Sequence, residues 1–597
     1  MAKKLPAIDY TSRDFSSIRR DLLNYAKQYY PNTYQDFSEA SFGSLMLDTV
    51  SYVGDILSFY ADYQANESFL DSAIQYSNVV RHARQYGFRL PASPSSFGTL
   101  TFYISVPAAE AGGPNLNYAP TLNAGSQFTS TGGGAYTLLE SVNFATPTNQ
   151  VVVGESNSST GIPTTYIIRA LGRAISGRSA VEEYTIGSFQ RFLQIPLRAN
   201  NITEILSVVD TEGHEYYQVD NLSQNIIYKS IRNSGASRAT IPNILKAVPI
   251  ARRFVLEQTS TRTYLQFGYG SDSELLSNTV LDPTNLMLDL NGRNYITDLD
   301  FDPTKLISTD KFGIAPSNTK LRITYRLNTA ADANAAIGSI SRVTSPDFKF
   351  VNQGQLVGSI KATTEASLEV SNESPFVGST SLPSAQEIKQ RAKSYFATQN
   401  RAVTAQDYQA IVYGMPGHFG SVQRCSIVRD FDEFKRNLNL YVISTDTSGK
   451  LIAANATLKN NIKYWISQYK MINDTVDILD AEIVNFGIRY QITLDSNSNR
   501  YTVISRANAQ LSKHYTANKF DIGESLAISD VYRVLMTVKG ILDVYDVQIV
   551  EKQGGNYSES NYDFQSNLTA DGNSIRAAET TIFELKFPNI DIQGTIR

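Results

Sequence analysis

Cysteine, tryptophan and histidine are nearly absent from this sequence, which has one Cys, one Trp and four His in 597 residues. A single cysteine excludes an intramolecular disulfide framework and a thiolate zinc site. Cys425 lies in the apolar run Ser421–Val428 and reads as a buried small hydrophobe. Charge is also scarce. Asp, Glu, Lys and Arg make up 18% of the chain, against about 25% in an ordinary soluble domain. With 53 basic and 57 acidic residues the net charge is −4. A general nucleic-acid binder carries a basic excess, so no nucleic-acid partner is expected. No apolar run reaches the ~20 residues of a membrane span, because the most apolar stretch, Leu45–Ala61, contains Asp48 and Asp55. Met1-Ala-Lys-Lys-Leu-Pro6 is charged but no apolar segment follows it, so the chain is expected to fold in a cytoplasm.

What the chain does have is Tyr (35) and Phe (28), residue types suited to contact surfaces. Its length suggests roughly four domains at about 150 residues each. The fold class expected is a multidomain α+β protein: an N-terminal helical segment, a β-rich middle and C-terminal α+β modules. The boundaries read as helices at 1–92, β-rich middle domain(s) at 93–330, a connector at 331–382, and α+β modules at 383–480 and 481–597. In the first segment Thr11-Ser-Arg-Asp14 forms a capping box, followed by Phe15, Ile18, Leu22, Tyr25 and Tyr29 at helical spacing. A second helix covers about Phe42–Tyr63, and a third Ile74–Tyr86 with Gly87 as its stop. Strand patterns then begin at Leu100–Val106, with Pro196 marking an edge strand. A weak internal echo links Thr404–Ile427 with Ser529–Ile549, each a helix, a glycine turn and a strand. It marks either two related modules or a coincidence of common units.

Motifs for chemistry are sparse. Asp298-Leu-Asp300-Phe-Asp302 starts like a calcium loop, but Pro303 replaces the turn glycine and Thr309 the closing glutamate. Thr131-Gly-Gly-Gly134 lacks the Lys-Ser/Thr of a phosphate loop, and Phe267-Gly-Tyr-Gly270 lacks a third glycine. There is no nucleophile elbow. His82, His214, His418 and His514 form no ligand pair by spacing. Any two of the acidic residues could still converge as a carboxylate pair. No catalytic residue, cofactor or metal is assigned, and the chain reads as a non-enzyme.

The second helix carries the strongest signal. At 100° per residue, Phe42, Leu45, Tyr52, Ile56, Phe59 and Tyr63 form one apolar seam, and Met46, Val50, Val53, Leu57 and Tyr60 a second beside it. Together they cover roughly 200° of the helix, whereas a surface helix needs little more than about 100°. The polar remainder is a stripe of Asp48, Asp55 and Asp62 flanked by Ser44, Ser51 and Ser58. Either the first and third helices cover both seams, or the helix joins an intermolecular bundle. The first helix is short and the third (Val79, Val80, Ala83, Tyr86) offers only a narrow face, which favours the bundle.

Further motifs resemble a known family. Asn400-Arg401-Ala-Val-Thr404-Ala-Gln-Asp407-Tyr408, followed by Met415-Pro416-Gly417, resembles the signature of baseplate J-like proteins, the wedge subunits of contractile phage tails and related injection machines. Leu382–Lys389 resembles the helix before that signature, and Ile528–Val544, with Asp530 and Gly540, the family's C-terminal unit. Asp9–Phe15, Phe42–Asp48, Arg81–Leu90 and Val208–Asp220 resemble the larger wedge subunits of T-even-like myophages.

The resemblance implies a structural protein of the virion tail baseplate, assembled in the host cytoplasm. Two copies would join a smaller wedge protein through N-terminal helices, and C-terminal domains would close a ring around the central hub. Hub and sheath-initiating proteins would be neighbours, and a bistable interface would release sheath contraction. The bundle is then expected to use Phe15, Ile18, Leu22, Phe42, Leu45, Met46, Val50, Val53, Ile56, Leu57, Phe59, Tyr60 and Tyr63. Arg401, Thr404, Asp407, Tyr408, Pro416, Gly417, Asp530 and Gly540 are expected to be structural: Thr404 and Asp407 cap a helix, and the glycines turn it into a strand. The competing classes are a tail-associated cell-wall hydrolase and a β-rich host-binding adhesin.

Overall fold

A computed structural model of the chain describes residues 14–30, 41–89, 94–110, 112–199, 201–232, 243–258, 262–271, 312–328, 333–351, 353–430, 437–495, 499–517 and 520–597. The architecture is α+β and multidomain, with helices at the N-terminus, several β-sheets and α+β elements toward the C-terminus. Backbone contacts divide it into two units. One comprises Met1–Leu90 and Leu382–Gln399; the other comprises Pro91–Gln258, Arg262–Ser381 and Asn400–Arg597.

The first unit is helical. Helix α1 (Phe15–Tyr29) starts at Asp14, whose carboxylate accepts the Ser17 N–H at 3.0 Å. Thr11, the expected start of its capping box, lies outside the described residues. Helix α2 (Phe42–Glu67) is capped by the Ser41 hydroxyl, which accepts the Ser44 N–H at 3.1 Å. Helix α3 (Tyr76–Gln85) packs on α4 (Ala385–Thr398), which carries a Ser384/Glu387 capping box. Leu70, Ala73, Val79, Val80, Ala83 and Phe88 bury together with Ile388 and Ala392. So the helix that opens the 383–480 segment in sequence contributes its apolar face to the N-terminal helices.

The corner between α2 and α3 is fixed by one acid. Glu67 is 4% exposed, and its carboxylate accepts the N–H groups of Ile74 (2.8 Å) and Gln75 (3.2 Å) and the Asn78 amide (2.9 Å). Burial pushes its pKa up, but the Asn78 amide, the two backbone donors and the Lys389 charge outweigh it, so the net shift is downward. The His82 ring lies 2.9 Å from the Glu67 carbonyl.

In the second unit, β1 (Phe97–Pro107), β2 (Gln127–Ser130), β3 (Ala135–Leu138), β4 (Gln150–Val153) and β5 (Thr165–Ser176) belong to one seven-stranded sheet. Two strands from the expected connector complete it. Ile340–Ser345 pairs with β2, and Glu369–Ser371 with β1. The Gly338 N–H donates to the Asn372 carbonyl at 2.9 Å, bringing the two ends of the sheet together. Inside lie Leu100, Phe102, Phe128, Tyr136, Ile168 and Phe376. Among the described residues Gln194–Pro196 pairs on one side only, with Thr263–Phe267, so Pro196 occupies an edge.

The C-terminal part holds two sheets of similar plan. In one, Asn437–Thr445 is flanked by antiparallel Arg424–Arg429 and parallel Thr475–Asp480. In the other, Glu482–Leu494 is flanked by antiparallel Ile541–Lys552 and by parallel Thr581–Glu584 and Ile592–Ile596. In each, the antiparallel strand follows a helix, Ala405–Tyr413 and Ile528–Met536 respectively, which gives the sequence echo a structural counterpart. Ile443, Leu451, Ala481 and Ile582 join the two sheets.

Candidate functional site: an outward apolar helix

Helix α2 places its polar stripe inward. Ser44 and Ser51 are buried. Arg19 of α1 pairs with Asp48, and its guanidinium donates to the Ser44 hydroxyl at 3.0 Å. A Cβ on Gly54 would stand 3.2 Å from the Ile18 side chain. Small residues at 44, 51 and 54 thus let α1 approach closely, while both apolar seams point away from it.

Phe42, Leu45, Met46, Val50, Val53, Leu57, Phe59 and Tyr60 are all exposed, from 49% at Met46 to 73% at Phe42. Ile56 and Tyr63 are half-buried, as are Ile18 and Leu22, and Phe15 is exposed. Contiguous exposed apolar surface of this extent is uncommon on monomeric proteins. Tyr52, Phe69 and Ile74 are also exposed. Tyr52 lies on the first seam, whereas Phe69 and Ile74 sit past the end of α2, where helical periodicity gives no signal.

The signature residues play local structural parts. The Thr404 hydroxyl accepts the Asp407 N–H at 3.2 Å, and the Asp407 carboxylate accepts the Thr404 N–H at 2.8 Å. The buried Tyr408 donates its hydroxyl to Asp474 at 2.6 Å; burial, and then this bond to the carboxylate, push its pKa well up. Arg401 is exposed beside this cap. Pro416 precedes a 3₁₀ turn, Gly417–Phe419. Gly420 (φ +91°) ends that turn. Gly540 has φ +102° between its helix and strand, and Asp530 pairs with Arg533 at 2.8 Å.

The histidines are dispersed. His214 stands 3.1 Å from Asp210, His514 packs on the Tyr515 ring, and burial lowers the pKa of His418. Among the described residues no group of three His, Cys, Asp or Glu side chains could hold a metal, and no helix is long and apolar enough to cross a membrane. The Asp298–Thr309 segment lies outside the described residues.

Comparison with known proteins bears on α1–α3. Residues 14–85 match the family model described as bacteriophage baseplate protein, N-terminal domain. The helical segment is thus similar to that domain over α1–α3. No curated protein matches the chain. Among solved structures, a chain of the cryo-EM structure of the anti-feeding prophage (AFP) baseplate is similar at 10% identity and TM-score 0.26, over 95% of this chain and 90% of that one. A chain of the type VI secretion system TssK-TssF-TssG baseplate subcomplex is similar at 10% identity and TM-score 0.22, over 74% and 96%. Scores this low carry no functional argument.

Proposed function

We propose that this chain is a non-enzymatic structural subunit of a contractile-tail baseplate, in the wedge, where it joins copies of itself and smaller wedge proteins through α1 and α2. The carrying observation is the outward apolar surface of α2, within the segment that matches the baseplate N-terminal domain. A helix whose polar stripe is already covered by its own neighbour has only apolar faces left to offer. Partner helices that bury those faces convert the exposed area into association energy. In this reading the C-terminal modules contact neighbouring copies, close a ring around the hub, and pass on the rearrangement that releases the sheath.

The test is native mass measurement of the full chain co-expressed with its genomic neighbours. Burying a Val or Leu side chain contributes about 1.5–3 kcal/mol. Val53→Asp with Leu57→Asp should therefore remove about 4 kcal/mol, roughly a thousandfold in affinity. Both positions are exposed, and the sole tryptophan, Trp465, whose indole donates to the Ile411 carbonyl, reports whether the body stays folded. The complex should disappear while the Trp465 signal persists. Normal assembly by the double variant refutes the proposal.

A further inference from the structure

The two C-terminal modules meet at a seam unlike the joint that precedes it. At the earlier joint, between the seven-stranded sheet and residues 400–480, consecutive side chains enter different cores: Phe376 packs inside the sheet's core and Val377 inside the next. The Asn334 amide donates to the Ser379 and Thr445 carbonyls, both at 2.9 Å, and its oxygen accepts the Ser379 N–H at 3.0 Å. Asn455 caps the helix Ala456–Ser467 by accepting the Leu458 N–H at 2.9 Å, and its amide donates to the Phe97 and Pro375 carbonyls. That helix packs on β1. The Ser95 N–H donates to the Gly417 carbonyl, and the Ser421 N–H to the Gly378 carbonyl. Backbone held from several directions at once leaves no axis to turn about.

The later seam has one covalent crossing. Thr475–Asp480 ends in one sheet and Glu482–Leu494 begins in the other, with Ala481 alone between them. The Ala481 N–H donates to the Val442 carbonyl of the first module at 3.1 Å, and the next N–H, of Glu482, to the Thr580 carbonyl of the second at 2.9 Å. The backbone thus changes partners at a single peptide. Among the described residues no helix or strand of 400–480 packs broadly on one of 482–597. The buried apolar contact is confined to Ile443, Leu451, Ala481 and Ile582, with a half-buried rim. Two polar links complete the seam. In one, the Leu451 N–H donates to the Glu584 carboxylate at 2.7 Å, and the Lys450 ammonium stands 3.9 Å from the centre of the Phe587 ring. In the other, Arg424 pairs with Asp521 at 2.6 Å. Domains that share a small, partly polar interface move relative to one another by default.

We propose that residues 482–597 turn as a rigid body about Ala481, and that the Glu584 and Asp521 links are the latch that holds the closed position. The module that turns keeps its own core, in which Phe486, Tyr490, Leu511, Leu535 and Val547 are buried together, so the motion is a hinge and not an unfolding. Both latches are charge-assisted bonds whose partners water can satisfy on opening. The inference rests on the fold alone and stands whether or not the chain serves a baseplate.

Spin labels on the full chain test it by double electron–electron resonance. Exposed positions carry the labels as pairs drawn from Leu171→Cys on β5, Lys463→Cys on the helix Ala456–Ser467, and Gln510→Cys and Gln548→Cys in the last module. The native Cys425 is buried and stays unlabelled. The 171/463 and 510/548 distance distributions should be narrow, and the 463/510 distribution roughly twofold broader, as hinge motions trapped by freezing give. Glu584→Ala with Asp521→Asn should broaden 463/510 further and leave 171/463 as it was. A narrow 510/548 distribution in that double variant shows that its last module is still folded. If 510/548 broadens there, Asp521→Asn alone, at an exposed carboxylate, makes the comparison. A 463/510 width no greater than that of 171/463, or a 463/510 distribution that the latch variants leave unchanged, overturns the proposal.

Discussion

Replacing Glu67 with Ala should loosen the α2–α3 corner and little else. The carboxylate is almost fully buried and takes three N–H donors, from Ile74, Gln75 and Asn78. Hydrogen bonds to a charged group contribute about 1.5–3 kcal/mol each, but alanine also removes the cost of burying the charge, and the Asn78 amide can turn to water. The two backbone donors remain in place and lose their acceptor. A local loss of about 3 kcal/mol follows, near the upper end of what single substitutions cost. Trp465 belongs to the other unit and is blind to this corner. The assay is therefore hydrogen exchange by mass spectrometry on the full chain, where 3 kcal/mol is about a hundredfold faster exchange over residues 70–86.

The pH dependence has a definite sign. The pKa of Glu67 is depressed by folding, so its stabilisation is complete above the unfolded value of about 4.3 and is lost as pH falls through the folded value. Protection of residues 70–86 should fall with acid in the native chain and show much less of that fall in Glu67→Ala. Exchange within threefold of the native chain at neutral pH would refute the assigned role.

The bundle variant Val53→Asp with Leu57→Asp should lose its partners by native mass. Gly98→Ala would drive a Cβ into the buried Phe376 ring; the overpacking should cost about 2 kcal/mol and lower the calorimetric melting temperature. Glu584, held by the Leu451 N–H and the Asn485 amide, has its pKa raised chiefly by burial. The native state should therefore gain stability from this group as pH falls from neutral through its raised pKa. Glu584→Gln should flatten that dependence in denaturation followed through Trp465.

Local signals in the chain translated well into local structure. The Ser384/Glu387 and Thr404/Asp407 pairs appear as capping boxes, and the helix expected at Ala405–Tyr413 has those bounds. These features depend on residues three or four apart, within reach of a reading by spacing. Long-range placement was not legible. Ala385–Thr398 packs on α3 some 300 positions earlier, and nothing in either helix specifies the other. Residues 331–382 read as a polar, Ala/Ser/Thr/Gly-rich connector with weak strands, and two of its strands, Ile340–Ser345 and Glu369–Ser371, pair into the seven-stranded sheet. Glu369–Ser371 is too short for alternation to register, and Ile340–Ser345 has no apolar/polar alternation to read.

Helix α2 shows where such a reading is right about composition and silent about orientation. Its two apolar seams and its Ser/Asp stripe are plain in sequence. A solvated polar face is the usual outcome for such a stripe, and the structure does the reverse. The reason lies in residue size and one ion pair. Ser44, Ser51 and Gly54 leave room for α1, and Arg19 finds Asp48 across that gap. A large apolar face cannot pack as closely against the short α1, whose own apolar row ends in exposed tyrosines at 25 and 29. Covering the small polar stripe internally leaves the large apolar faces for others, which is the arrangement expected of a helix pair completed by assembly rather than by its own fold.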